Sequence, residues 1–181
     1  MGALYLRALV EPATFSPCRR YRYTWTRQFT HESWRAPKAN GIHGSPCVFV
    51  MLNPSTADEA RKDPTVTRCQ GFAANWGYET LIVLNLFAYR ATDPADMKGQ
   101  DDPVGPHNDD WIRDVCLGAI DQRGIVVCAW GTHAAHLDRE RQALTGPLKG
   151  VPLHFLTLTK HGSPGHPLYL SKALRPIPWV R

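Results

Sequence analysis

Four apolar segments of the chain each end in or near residues that can form hydrogen bonds or hold a proton. In chain order these residues are Asn53-Pro54, Asn85, Trp130-Gly131, and the two histidines His161 and His166. Side-chain amides can bind a neutral heterocycle by its hydrogen-bonding edge. Backbone N–H groups and an imidazole can position a water and stabilise an anion as it leaves. The set therefore predicts a pocket for a heterocycle, a positioned water and an anionic leaving group.

Short apolar runs predict the strands that would carry these side chains, because such runs suit strands buried on both faces. They lie at residues 47–52, 81–86, 125–130 and 153–158, with helical patterns between them at 66–76, 108–121 and 132–144. This alternation predicts a three-layer α/β/α sandwich with a mainly parallel, four-stranded central sheet. The carboxyl ends of parallel strands meet at one edge, where ligands bind in open α/β sheets.

Each signature alone also has a simpler structural interpretation. Pro54 cannot extend a hydrogen-bonded ladder, so the first strand must end there. Asn and Pro are common turn residues, and Asn53-Pro54 taken alone is typical of a turn. It is the ordered set of four signatures that favours a functional site.

The four signatures together resemble the motifs of the uracil-DNA glycosylase superfamily over about residues 47–172. Asn53-Pro54 resembles the Asn-Pro motif of its mismatch-specific and thymine-DNA glycosylase branch, and Asn85 lies where that superfamily has a base-reading Asn. Ala129-Trp130-Gly131 is similar to its strand ending in Trp-Gly. The fourth motif of the superfamily is a loop with a His-Pro dipeptide. His166-Pro167 resembles the dipeptide itself, whereas residues 161–164 resemble the motif in their spacing. The chain also resembles a bacterial family known as domain of unknown function 1643.

The resemblance implies a monofunctional DNA glycosylase, which hydrolyses the N-glycosidic bond of a flipped base and needs no metal or cofactor. Asn53 would orient the water, and His166, with His161 as the second candidate, would stabilise the departing base. The residues implied in base recognition are Asn85, Ser55, Phe72 and Phe87. Those implied in DNA contact are Lys160, Ser163, Leu168, Tyr169 and Lys172.

Ser55 sets the expected substrate. Uracil-specific members of the superfamily carry a tyrosine at this place, which blocks pyrimidines with a C5 substituent. The small Ser55 would admit such a base, so we expect a C5-modified pyrimidine. The biological role would be DNA repair or defence against phage with modified DNA.

Length and composition set the remaining expectations. The 181 residues predict one domain, with residues 1–40 as an extension of short strands and loops. A net charge of +5 is compatible with a nucleic-acid partner, and residues 19–38 mix arginines with aromatics. Five scattered cysteines predict free, mostly buried thiols. With no long apolar run or clear signal peptide, we expect a cytoplasmic monomer that does not contact membranes.

Two other classes of function remain open at this stage. One is a non-catalytic domain of the same fold that binds nucleic acid or nucleotides. The other is an enzyme that processes free nucleotides or nucleosides. The sequence has no Walker motif, so it does not favour hydrolysis of nucleoside triphosphates.

Overall fold

The computed structural model describes residues 2–29, 45–56 and 63–180. Its helices are α1 (Ala3–Val10), α2 (Pro64–Asn75), α3 (Pro94–Lys98), α4 (Asn108–Asp121) and α5 (Arg139–Thr145), with a short 3-10 segment at Thr132–Asp138. Its strands are β1 (Ala13–Phe15), β2 (Arg22–Gln28), β3 (Pro46–Met51), β4 (Thr80–Asn85), β5 (Ile125–Cys128), β6 (Leu153–Phe155) and β7 (Ile177–Pro178).

The strands form one seven-stranded sheet in the order β1-β2-β4-β3-β5-β6-β7. The four predicted strands are confirmed as β3, β4, β5 and β6, and they pair in parallel. The prediction of a four-stranded sheet is wrong, because β1, β2 and β7 extend it through antiparallel pairs. The protein is thus a mixed α/β fold with a parallel centre and antiparallel edges.

The central strands are buried on both faces, as their continuous apolar composition predicts. Every residue of β3 and β4 is buried. Alternate side chains enter two separate clusters, since successive residues of a strand point to opposite faces. Val48 and Val50 pack with residues of α1, α4 and α5, whereas Cys47 and Phe49 pack with α2.

The helix boundaries follow identifiable local signals. Helix α2 begins two residues earlier than predicted, because Asp63 caps it and Pro64 occupies its first turn. It ends before Gly77, whose φ of 89° suits the residue that follows a helix. Helix α4 has the predicted bounds. The single helix predicted at 132–144 is divided, because Leu137 and Asp138 adopt positive φ and interrupt it.

The N-terminal region differs most from expectation. Residues Ala3–Val10 form α1, where short strands and loops were predicted. Tyr5 of α1 is buried against Gly118 of α4, where a Cβ would lie only 2.3 Å from the tyrosine ring. Strand β2 also lacks the alternation of buried and exposed residues that is typical of a surface strand. Both Tyr23 and its neighbour Thr24 are buried, because β2 lies inside the sheet between β1 and β4.

Candidate functional site at the carboxyl ends of the parallel strands

A cavity of about 300 Å³ opens where β3, β4 and β5 end. It brings together six of the residues singled out in the sequence, which are Asn53, Ser55, Asn85, Trp130, Gly131 and His166. Two charged residues, Arg22 and Asp63, also line it. The motifs that follow separate strands therefore meet at one place, as expected from the parallel centre of the sheet.

Asn53 holds its amide in one orientation at the end of β3. Its Nδ2 donates to the carbonyl oxygen of Ala91 at 2.8 Å and to that of Pro54 at 3.3 Å. Both bonds use the amide nitrogen. The Oδ1 atom therefore remains the acceptor that Asn53 can offer to a ligand or a water.

Asn85 is buried, with only 2% of its surface exposed, and its Nδ2 has no hydrogen-bond partner among the described residues. Its main chain, in contrast, is firmly held. Nδ2 of Asn108 donates to the carbonyl oxygens of Asn85 and Leu86, each at 2.9 Å, and Nε of Arg139 donates to Leu86 O at 2.9 Å. A buried donor without a partner is costly and therefore rare in proteins. In the wall of a cavity, such a donor indicates a site for an acceptor on a ligand.

Ser55 and Asp63 form a second polar wall. The Ser55 hydroxyl donates to Oδ2 of Asp63 at 2.8 Å. The other carboxylate oxygen, Oδ1, accepts from the backbone N–H groups of Thr65 at 2.8 Å and Val66 at 3.2 Å. Asp63 is thus the cap of α2 and also a carboxylate in the cavity. Each carboxylate oxygen can accept more than one hydrogen bond, so both roles are compatible.

The structure separates the two candidate histidines. His166 lies in the cavity wall beside Gly131, which donates its N–H to the carbonyl oxygen of Pro164 at 2.8 Å. His161 lies exposed in a turn, with its N–H 3.4 Å from Oγ1 of Thr159, and does not line the cavity. Of the two histidines, His166 of the His-Pro dipeptide is therefore the one that lines the cavity.

The environment of His166 sets its protonation state. The ring is at the rim and keeps contact with solvent, yet desolvation lowers its pKa below the ordinary histidine value. The negative charge of Asp63 offsets part of this shift. His166 is therefore predominantly neutral at pH 7, and one ring nitrogen carries a proton that it can donate.

The aromatic residues at the site are not those predicted. Phe72 stacks on Trp76 with ring centroids 5.4 Å apart, and Phe87 packs against His136 with ring centroids 5.8 Å apart. Both phenylalanines are fully buried in the core, and neither lines the cavity, so their expected contact with a base is corrected. Trp130, which is 1% exposed, is the Phe, Tyr or Trp residue among the described residues that line the cavity.

Arg22 was not among the predicted site residues, whereas the sequence offered Asp63 both as a carboxylate that could assist the water near Asn53 and as a helix cap. Arg22 is 6% exposed, and its backbone N–H donates to the carbonyl oxygen of Ala88 at 2.9 Å. Nothing in the sequence distinguished Arg22 from its neighbours Arg19, Arg20 and Arg27, and its burial, which is unusual for a cation, is seen only in the structure. For Asp63 the signal was an acidic residue directly before Pro64, which is typical of a helix cap.

The predicted DNA-contacting residues all lie outside the cavity, on the chain that continues from β6. Lys160, Tyr169 and Lys172 are exposed, whereas Ser163 and Leu168 are partly buried. The Ser163 hydroxyl donates to Oε2 of Glu140 at 2.6 Å, so it has a structural role. Leu168 and Lys172 line a second groove beside α2.

All five cysteines are free thiols. Cys47, Cys69, Cys116 and Cys128 are buried free thiols, and Cys18 is exposed, as the sequence predicts. Among the described residues, no group of three or more His, Cys, Asp or Glu side chains could hold a metal ion. No helix in the described ranges has both the length and the apolar character needed to cross a membrane.

Comparison with known proteins gives one match. No curated protein and no solved structure is similar enough to the chain to be matched. Residues 22–168 match a family described as Protein of unknown function (DUF1643). The matched range begins at Arg22, the first residue of β2, and includes every residue that lines the cavity. The chain therefore belongs to the DUF1643 family.

Proposed function

We propose that the protein is a monofunctional DNA glycosylase, which hydrolyses the N-glycosidic bond of a flipped, C5-modified pyrimidine and leaves an abasic site. A base in a duplex cannot reach a recessed cavity unless it is flipped out of the stack. The proposal includes the three-layer arrangement expected from the sequence, which is supported by helices packed against both clusters of the sheet.

The observation that carries this proposal is the buried amide of Asn85. Its Nδ2 has no partner in the described part of the chain, although it lies in the wall of a cavity. A ring carbonyl of a pyrimidine is an acceptor of the required kind. The planar Trp130 side chain in the same wall is suited to contact the face of such a ring.

The attacking water is placed by Asn53 and Asp63. Asn53 accepts a hydrogen bond from the water through Oδ1, because its Nδ2 is committed to two backbone carbonyls. An amide cannot take up a proton, and Asp63 is the carboxylate among the described lining residues. The water oxygen forms a bond to C1′ of the deoxyribose, and its proton passes to Asp63.

The departing base is stabilised by His166 and Arg22. As the bond between C1′ and the ring nitrogen breaks, its electron pair leaves with the base, which becomes an anion. The neutral His166 ring can donate an N–H hydrogen bond to this anion. Arg22 contributes a permanent positive charge in the cavity wall, where a low dielectric strengthens its effect. The proton on Asp63 can later return to the anion and complete hydrolysis.

Ser55 supports a substrate with a C5 substituent. Its side chain is small and turned toward Asp63, so it leaves space in the cavity that a tyrosine would fill. The volume of about 300 Å³ is at the lower end of ligand pockets and suits one base with a modest substituent.

The test is incubation with duplexes that each contain one uracil, thymine, 5-hydroxymethylcytosine, 5-formylcytosine or 5-carboxylcytosine. Strand cleavage in alkali detects abasic sites, and mass spectrometry identifies the released base. We expect release of at least one C5-modified base. His166→Ala should reduce the single-turnover rate constant by about 100-fold, within the range for a proton donor, whereas His161→Ala should remain close to wild type.

Three results would count against the proposal. Release of uracil alone would contradict the role assigned to Ser55. Binding of modified DNA without any abasic site would favour a non-catalytic domain. Hydrolysis of a free nucleotide or nucleoside but not of DNA would favour a nucleotide-processing enzyme.

A further inference from the structure

A second groove, with a volume of about 500 Å³, lies on the outer side of α2. The helix contributes Pro64, Thr67, Arg68, Gly71, Phe72 and Asn75. These positions are three or four residues apart, so they form one stripe along the helix. Leu168 and Lys172, from the chain that follows His166, form the opposite wall.

Gly71 lies in the middle of α2 without a packing reason within the described chain. A Cβ placed on Gly71 would meet no atom within 4 Å. Glycine inside a helix is less stable than alanine, because its backbone loses more freedom on folding. A glycine that faces open space in a groove is suited to the close approach of another molecule to the helix.

The groove carries positive charge and no carboxylate among its described lining residues. Nη2 of Arg68 donates to the carbonyl oxygen of Leu170, and its guanidinium carbon lies 5.6 Å from the centre of the Phe72 ring. The Nε of Arg68 is buried and has no partner among the described residues. Lys172 is exposed on the other wall. This charge pattern fits a polyanion.

The residues that line the groove adjoin, along the chain, the residues that line the candidate site. Thr65 and Val66, in the first turn of α2, line the cavity, whereas Thr67 and Arg68 line the groove. On the other side, the chain runs from His166 at the cavity to Leu168 and Lys172 at the groove. This adjacency on both walls favours a polymer as the ligand, with one unit in the cavity and neighbouring units along the groove.

We propose that the groove binds the sugar–phosphate backbone of the DNA strand that carries the flipped nucleotide. Gly71 lets the backbone approach α2, and Lys172 and Arg68 neutralise phosphates. The inference rests on the proposed function for its choice of strand. The new element is the face of α2, since Leu168 and Lys172 were already expected to contact DNA.

The experiment combines DNA binding with thermal unfolding for Gly71→Ala and Gly71→Gln. Affinity for an unmodified duplex is measured by fluorescence anisotropy. We expect Gly71→Ala to raise Tm by about 2–4 °C, because alanine favours the helix, and yet to weaken DNA binding several-fold. The longer side chain of Gly71→Gln should weaken binding at least tenfold.

Lys172→Ala provides a separate test of charge, with the exposed Lys149→Ala as its control. Loss of one phosphate contact should weaken binding to all sequences and reduce the slope of log Kd against log salt by about 1. Lys149 does not line the groove, and its replacement should leave the slope unchanged.

The outcomes separate this inference from the proposed function. The proposal that the groove binds DNA would be overturned if folded Gly71→Gln kept wild-type affinity and Lys172→Ala kept the wild-type salt slope, even if the protein excises a base. Loss of binding in these variants would support DNA binding in the groove, even if no base were excised. Failure of the wild-type protein to bind duplex DNA would overturn both.

Discussion

Replacement of Asn85 by leucine should make the protein more stable and less active. Leucine has the same number of side-chain heavy atoms as asparagine, also branched at Cγ, but it is bulkier and has no polar group. The substitution removes a buried donor, Nδ2, that has no partner among the described residues. Such an unsatisfied group costs about 1–3 kcal/mol. After allowance for the different shape of leucine, we expect the free energy of unfolding to rise by about 1 kcal/mol, or Tm by about 2–4 °C.

The same substitution should impair excision. If Nδ2 of Asn85 donates to the base, its loss leaves an acceptor on the buried base without a partner. The cost is again about 1–3 kcal/mol, now in the transition state. At 1.36 kcal/mol per tenfold change, the single-turnover rate constant should fall by about 5- to 150-fold.

Asn108→Leu is the matched control, because Asn108 is also a buried asparagine next to β4. Its Nδ2 donates to the carbonyl oxygens of Asn85 and Leu86, whereas its Oδ1 has no partner among the described residues. Loss of the two hydrogen bonds outweighs removal of one unpartnered acceptor, so the free energy of unfolding should fall by about 1–2 kcal/mol. Urea denaturation and single-turnover excision are measured for both variants. If Asn85→Leu is destabilised as much as Asn108→Leu, the amide of Asn85 is structural and the reasoning is wrong.

Three further predictions concern specificity, pH and stability. Ser55→Tyr should reduce excision of C5-modified bases by at least 100-fold and leave excision of uracil unchanged, because the tyrosine ring would fill the space near C5. Competition between a duplex with a C5-modified base and a duplex with uracil measures this. Burial lowers the pKa of His154 and His166. As the pH falls, the unfolded chain therefore takes up protons before the folded chain does, and the free energy of unfolding should fall below about pH 6.5. Urea titrations at pH 7.5 and 5.5 measure this difference, which should be smaller in His154→Gln. Arg139→Met should lower the free energy of unfolding by about 2–3 kcal/mol, as measured by heat or urea. This is less than for a fully buried ion pair, because the partner Asp109 is half exposed. A loss below about 0.5 kcal/mol would show that Arg139 does not stabilise the fold.

The central strands could be predicted from the sequence because their surroundings are simple. Runs such as 47–52 are buried on both faces, so their composition alone identifies them. The edge strands could not be predicted in the same way. The position of β2 between β1 and β4 depends on pairing with residues more than 50 positions away along the chain, and no local pattern records that choice.

The same distinction applies to the candidate site. Asn53 and Asn85 were identified because each lies at the end of a strand, and strand ends meet at one edge of a parallel sheet. Arg22 enters the cavity from β2, so its role depends on the strand order. Phe72 and Phe87 were misplaced because the direction of a side chain depends on the rotation of its helix or loop. The choice between His161 and His166 required the path of the loop.

Under the proposed function, the hydrogen bond between Ser55 and Asp63 would link substrate choice to the folding of a helix. Ser55, which we propose leaves room for a C5 substituent, donates to the carboxylate that caps α2. Substitution of Ser55 would therefore alter two properties at once, which are the bases that fit the cavity and the stability of the first turn of α2. Threonine keeps the hydroxyl and narrows the space, so it is the smallest change that separates them. A laboratory selection for new base preference should recover Ser55→Thr early and recover larger residues only with compensating changes near the start of α2.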